Sequence, residues 1–256
     1  MTLKTLMHTA LVLLAASLAA APADAETKYK IATEGTYPPW NYKDVSGKLV
    51  GWDVDVANAL CERMKASCEI IAQDWDGIIP SLLARKYDFI VASMGITEKR
   101  KQQVAFTDRY KDTISQFVIK KGTVKDFTPQ GLAGKRIGVQ RGSIQHDFLI
   151  KTFPKAEIVV FDKPTDVELD LLSERIDLLF ANKITSFVGL LKRPEAAAFE
   201  LAGPEFKGGL LGDGNGIALR KEDTKLLADL NAALAAIMAD GTYDRITAKY
   251  FPFKLM

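Results

Sequence analysis

The sequence predicts an α/β protein of two lobes, built on mixed, mainly parallel sheets. Three observations lead there. Short apolar strands alternate with amphipathic helices in two successive sets, and a long extended segment from Ile114 to Ile119 stands between them. Polar clusters (Glu34, Ser93 to Thr97, Gln140 to Ser143, and Asn182) recur at the carboxyl ends of the strands, where parallel sheets bind ligands.

In the first set, Tyr29 to Thr33 reads as a strand, followed by the stiff turn Tyr37-Pro38-Pro39-Trp40. Lys48 to Trp52 is a second extended piece. Asp53 to Met64 is a helix with Val56, Leu60 and Met64 on one face. Glu69 to Gln73 follows as a strand, Gly77 to Ala84 as a helix and Phe89 to Ala92 as a strand. The run Tyr87 to Ala92 is apolar and bounded by charges and turn residues, as suits a strand covered on both faces. The second set comprises strand Arg136 to Val139, helix Gln145 to Thr152, strand Ile158 to Phe161, helix Thr165 to Arg175 and strand Leu178 to Ala181. Helices at Thr224 to Asp240 and Thr242 to Tyr250 close the chain.

Just past Ala92 lie Ser93, Gly95 and Thr97, and a helix is expected to begin near Thr97 with Arg100 in its first turns. Free N–H groups at a helix start and a guanidinium would converge there on one anion, and a carboxylate suits the place. The plainer reading makes Thr97 an ordinary N-cap and Arg100 a solvated side chain.

The first 25 residues carry Lys4, an apolar stretch from Ala10 to Ala21, and Ala23 and Ala25 before Glu26. That is the pattern of a secretory signal peptide, with an apolar core shorter than the roughly 20 residues of a membrane span. The mature chain is expected to be exported to the periplasm. A net charge of +2 without a Lys/Arg run removes the electrostatic case for nucleic acid or a membrane surface. Both cysteines, Cys61 and Cys68, lie in the exported part, and in an oxidising compartment this pair favours a disulfide over a metal site. His146 is the one histidine beyond the leader, so zinc sites of the Cys/His type and a histidine-based triad lack parts, and no cofactor or metal is expected. Gly131-Leu-Ala-Gly134-Lys135-Arg136 has the wrong spacing for a phosphate-binding loop, and Gly212 to Gly216 reads as a flexible crossing between lobes.

Gly51-Trp52-Asp53-Val54-Asp55-Val56 with Leu60, Cys61 and Met64 resembles the signature of periplasmic solute-binding proteins for polar amino acids. Ile31 to Tyr37, Asp76 to Leu82, Ile96 to Arg100, Gly138 to Gln140 with Gly142-Ser143, and Asp240 to Tyr243 with Lys249 to Phe251 extend the resemblance over the mature chain. It is strongest to the branch that binds lysine, arginine, ornithine and histidine. It implies one lobe from residues 26–111 and 215–256 and another from 112–214, joined by two hinge crossings and closing on a solute. It also implies docking on the permease subunits of an ABC importer, and a monomer. By resemblance Arg100 would hold the solute α-carboxylate, helped by the Ser93 hydroxyl and N–H groups near Gly95 and Thr97. Tyr37 and Trp75 would sandwich the solute stem, Glu34 would pair with a distal cation, and Ser143 and Gln145 would bond from the second lobe. Trp40 and Trp52 remain core.

The chain departs from that branch at Ala92 and Gly95, which leave space near the solute α-carbon, and at Asn182, where an aspartate would neutralise the α-ammonium. An amide supplies no such charge, so opines (octopine or nopaline, arginine conjugates with an extra carboxylate on the α-nitrogen) are the alternative solutes. Two further alternatives are a sensory module and an exported dehydratase-like enzyme on the same fold. For the enzyme Glu34, Lys183 and His146 are the available acid/base groups.

Overall fold

The protein is described here by a computed structural model covering residues 27–256; the leader reading falls outside the described residues. In chain order the first half forms β1 (Lys28–Thr33), β2 (Thr36–Tyr37), β3 (Asn41–Lys43), β4 (Leu49–Val50), α1 (Trp52–Arg63) and β5 (Ser67–Ala72). Next come α2 (Trp75–Leu83), β6 (Phe89–Ile90), α3 (Glu98–Lys101) and β7 (Ala105–Phe106). The second half forms β8 (Ser115–Lys120), β9 (Arg136–Gln140), α4 (Ile144–Thr152), β10 (Glu157–Phe161), α5 (Pro164–Leu172) and β11 (Leu178–Asn182). The chain ends with β12 (Phe199–Phe206), β13 (Ala218–Leu219), α6 (Thr224–Ala239) and α7 (Thr242–Tyr250).

Two five-stranded sheets organise the two lobes. One has the order β5-β1-β6-β13-β7 and the other β10-β9-β11-β8-β12, while β2, β3 and β4 form a small sheet of their own. Strands reached through a helix run parallel: β1 with β5 and β6, and β9 with β10 and β11. The strands entered directly from the other sheet run antiparallel to their neighbours, β13 between β6 and β7 and β8 between β11 and β12. Each sheet is therefore half parallel, a smaller share than the strand–helix alternation alone suggests.

The first core packs α1, α6 and α7 around Trp40, Trp52, Leu60, Leu230 and Ile237, all fully buried. Trp52 stacks on Tyr110 with centroids 5.5 Å apart and donates its indole N–H to Thr247 at 3.0 Å. The second core is a phenylalanine cluster, with Phe117 and Phe180 centroids 4.6 Å apart and Phe148, Phe153 and Phe206 against them. Each such side chain contributes roughly 1.5–3 kcal/mol through apolar burial. Helix α1 starts where Asp53 and Asp55 meet its positive end, and it stops at Met64 before Lys65 turns to φ 51°.

Two parts of the fold depart from the sequence reading. The segment after Asn182 forms a π-helical turn, Thr185–Leu190, and the strand β12, neither of which the sequence analysis assigned. Gly203 and Pro204 read as breakers in sequence. In the structure Gly203 has φ +72° and the pairing with β8 shifts register between Ala202 and Phe206, so they mark an irregular edge strand. The glycine-rich return at 212–216 is also less free than expected. Ile96 N–H donates to the Gly214 carbonyl at 2.8 Å, Asp213 N–H to Ile96 at 3.1 Å and Asn215 N–H to Lys111 at 2.9 Å. Glycine at 212 serves close approach at φ +77°, because a Cβ there would overlap the Ile96 carbonyl.

Cys61 in the last turn of α1 is bonded to Cys68 at the start of β5, with Cα atoms 6.3 Å apart. Replacing both by serine should lower unfolding stability by ~2–3 kcal/mol on the chain-entropy account. Urea titration of the two proteins measures it; equal midpoints would remove the bond from the stability of this lobe.

Candidate functional site

A cleft opens where the carboxyl ends of β1, β6, β9 and β11 from the two sheets face each other. Its walls include Glu34, Tyr37, Trp75, Ser93, Gly95, Arg100, Ser143, Gln145 and Asn182, nine of the ten residues singled out in the sequence. Thr97 lies outside it and lines an adjoining surface pocket. Its hydroxyl accepts the Arg100 N–H at 3.2 Å, the plain N-cap role, and the helix it starts, α3, has only four residues. Arg100, by contrast, is buried and turned into the cleft.

Arg100 is 8 % exposed and its guanidinium forms no ion pair among the described residues. It donates to the Gly95 carbonyl at 3.0 Å and, across the cleft, to the Gly142 carbonyl at 3.2 Å. The Trp75 ring lies under it, 5.1 Å from centroid to guanidinium carbon, and its indole N–H reaches the same Gly142 carbonyl at 3.2 Å. Burial lowers the Arg100 pKa to about 10, with Asp147 opposing, so the cation persists at neutral pH. A buried cation held only by neutral dipoles is a site prepared for an anion.

Glu34 stands on the first lobe after β1, 5 % exposed. Its carboxylate accepts from Gln140 Nε2 of the second lobe at 2.5 Å and from Thr36 Oγ1 at 3.2 Å. Burial raises its pKa to about 7 against the lowering effect of those two hydrogen bonds. Tyr37 accepts at its hydroxyl from Thr185 Oγ1 at 3.0 Å, and the same Thr185 oxygen receives the Trp40 indole N–H at 2.7 Å.

Several expected roles change on contact with the geometry. The Ser93 hydroxyl donates to Asp53 at 2.7 Å, so its proton is engaged before any carboxylate arrives. Ser143 caps α4, accepting from His146 N–H at 3.1 Å and donating to the Gln140 carbonyl at 2.8 Å. Gln145 donates to Ser115 at 3.0 Å. Space beside Gly95 is occupied by Ile144 of the other lobe, whose Cδ1 would sit 3.0 Å from a Cβ at that position. The absence of a side chain at 95 therefore lets the lobes approach each other there. Asn182 turns its carbonyl oxygen to the backbone N–H groups of Ile184 at 2.9 Å and Thr185 at 3.1 Å, while the residue itself lines the cleft. Among the acid/base groups, Lys183 is ion-paired with Glu205 and His146 Nδ1 accepts from Gly142 N–H at 3.4 Å.

Sequence reasoning missed Lys111, Thr113, Ile144 and Asn215 in the walls. Lys111, Thr113 and Ser115 alternate on one buried face of the extended segment that enters β8, a period-two polar pattern readable in sequence.

A family model described as bacterial extracellular solute-binding proteins, family 3, matches residues 29–253. The chain belongs to that family. It is 40% identical over 253 residues to the histidine-binding periplasmic protein of Salmonella typhimurium strain LT2, covering 98% of this chain and 97% of that one. It is 33% identical to the octopine-binding periplasmic protein of Rhizobium meliloti, covering 98% of each. A solved ancestral arginine-binding protein bound to glutamine superposes with TM-score 0.82 at 35% identity, covering 90% of this chain and all (100%) of that one.

A cation settling on Glu34 favours its charged form, so solute affinity should fall as pH drops below about 7, by at most about tenfold per unit. Glu34→Gln should bind more weakly and lose this slope. Calorimetry from pH 8 to pH 5 reads both, and an unchanged slope in the variant would remove Glu34 from the solute's path.

Proposed function

We propose that this chain is the periplasmic solute receptor of an ABC importer and captures an amino acid with a cationic side chain. The observation that carries the reading is the pairing of Arg100 and Glu34 in one cleft: a buried cation without a carboxylate partner, and a buried carboxylate without a cationic one, among the described residues. An α-carboxylate on Arg100 and a distal ammonium, guanidinium or imidazolium on Glu34 satisfy both, with Tyr37 and Trp75 covering the stem. The histidine- and arginine-binding relatives support the same solute class.

The lobe boundaries we assign are residues 26–111 with 215–256 and residues 112–214, with crossings near Asp112 to Ile114 and near Gly212 to Gly214. In the arrangement described the cleft holds a cavity of about 40 Å³. That is room for about three waters, so an amino acid enters by hinge opening and the lobes close over it. The closed form is the one a permease recognises. Glu34 is held by Gln140 and Thr36 and Lys183 by Glu205, and we assign the cleft capture without turnover.

Arg100→Ala should weaken binding of arginine, lysine, ornithine and histidine by ~2–5 kcal/mol, tens- to thousands-fold, with unchanged circular dichroism. Retained affinity would remove Arg100 from the site. Solute addition should also alter tryptophan fluorescence, through Trp75, and reduce the radius of gyration in X-ray scattering. Confirmed binding without either change would defeat the hinge. Product formed from prephenate or arogenate would defeat capture without turnover.

A further inference from the structure

The π-helical turn that follows β11, Thr185–Leu190, belongs to the second lobe but does not pack on that lobe alone. Leu190 is fully buried in the second-lobe core with Val118, Val167 and Leu179. Ile184 and Val188, four residues apart and so on one side of the turn, pack instead against the first-lobe core of Trp40, Trp52 and Leu60. Phe187 is exposed. An apolar pair set by one lobe on the core of the other is a contact that opening must break, and breaking it puts that surface in water.

Polar contacts fix the same seat. Thr185 Oγ1 receives the Trp40 indole N–H at 2.7 Å and donates to the Tyr37 oxygen at 3.0 Å, so it is bonded to both ends of the Tyr37-Pro38-Pro39-Trp40 turn. Gly189 faces the middle of that turn, where a Cβ would stand 3.1 Å from the Pro38 carbonyl oxygen. That oxygen is backbone stiffened by two prolines and cannot swing aside as a flexible side chain would. Gly189 is a poor helix former in a helical turn, and its φ is not in the left-handed region, so close approach to Pro38 is what glycine serves there.

Both sides of this contact lead to the working parts. On the second lobe, Asn182 Oδ1 accepts from the N–H groups of Ile184 at 2.9 Å and Thr185 at 3.1 Å, which ties the start of the turn to a wall of the cleft. On the first lobe, the Trp40 ring carries the Lys111 ammonium 3.7 Å from its centroid, just before the crossing into β8. The one indole thus touches the turn, the core and the hinge.

We propose that residues 184–190 form a closure latch: seated on the Tyr37–Trp40 turn, they stabilise the closed form and scale the affinity for every solute by one factor. This rests on the hinge capture proposed above. Arg100 and Glu34 select the solute. Ile184, Val188 and Gly189 are absent from the cleft walls and act as positioning residues, through the equilibrium between open and closed forms.

Calorimetry of Gly189→Ala and Gly189→Leu with arginine, lysine and histidine, together with X-ray scattering, tests it. Gly189→Ala should weaken all three by about threefold and Gly189→Leu by about tenfold or more, with the order of preference kept. At solute saturation Gly189→Leu should keep a larger radius of gyration than the wild type. Wild-type affinity in Gly189→Leu would overturn the latch and leave capture standing. Unequal weakening of the three solutes would place the turn in selection and overturn the common factor. Equal weakening with full compaction at saturation would show a loss that does not pass through closure, and would also overturn it. Should Gly189→Leu fail to fold by circular dichroism, Thr185→Val decides, since it removes the Trp40 and Tyr37 bonds without a clash; unchanged affinity there overturns the latch. Silence of the wild type toward all three solutes would overturn capture of a cationic amino acid. The solute-free proteins then decide the latch: an equal radius of gyration in wild type and Gly189→Leu overturns it, and a larger one in the variant upholds it.

Discussion

The carboxylate of Asp53 is the constraint on which the first lobe and the floor of the cleft depend. It sits fully buried in the first turn of α1, where the helix dipole favours an anion. Its three donors come from three different places: Asn41 on β3, Ser93 just past β6, and Tyr110 ahead of the crossing. Asn41 in turn receives the Gly35 N–H at 2.9 Å, which fixes the backbone beside Glu34. Ser93 adopts φ 49°, a conformation disfavoured for a non-glycine residue and held here by bonds at both its N–H and its hydroxyl. One buried anion thus aligns the strand ends that carry Glu34 and lead to Arg100. The burial of its charge is offset by donors, which is the condition under which buried carboxylates persist.

How much of this was legible in the sequence varies with the type of signal. Apolar periodicity located α1, α4, α6 and α7 within a residue or two at each end, because burial of one face determines them. Arg100, Glu34, Tyr37 and Trp75 were legible by resemblance, and the cleft brings them together. What escaped was partnering. Sequence cannot say that the Ser93 proton is given to Asp53, that Ile144 fills the space beside Gly95, or that Asn182 turns its oxygen away. Lys111 escaped for a related reason: a lysine beside Asp112 at a crossing reads as solvated, and its burial is set by Trp40 from a distant part of the chain. β12 escaped because glycine and proline are breakers in a central strand and tolerable at an irregular edge.

The contacts between the lobes are many and individually weak. Trp75 to Gly142 and Thr185 between Tyr37 and Trp40 are neutral hydrogen bonds whose net worth is about 0.5–1.5 kcal/mol each, while Gln140 to Glu34 and Arg100 to Gly142 involve a charged group and are worth about 1.5–3 kcal/mol. At the rim Lys99 pairs with Asp147 at 2.8 Å and Arg141 with Asp76 at 3.5 Å, exposed pairs worth about 0–1 kcal/mol each. Arg100 and Glu34 are different, since both are buried in the arrangement described, and on the capture proposed above a solute with matching charges would compensate them. A solute that engages both lobes shifts the equilibrium by its differential affinity for the closed form. About 5.5 kcal/mol takes such an equilibrium from 1:99 to 99:1, and two charge-assisted contacts of ~2–5 kcal/mol each reach that range. On the capture proposed above, the same charges that select the solute would also determine when the lobes close.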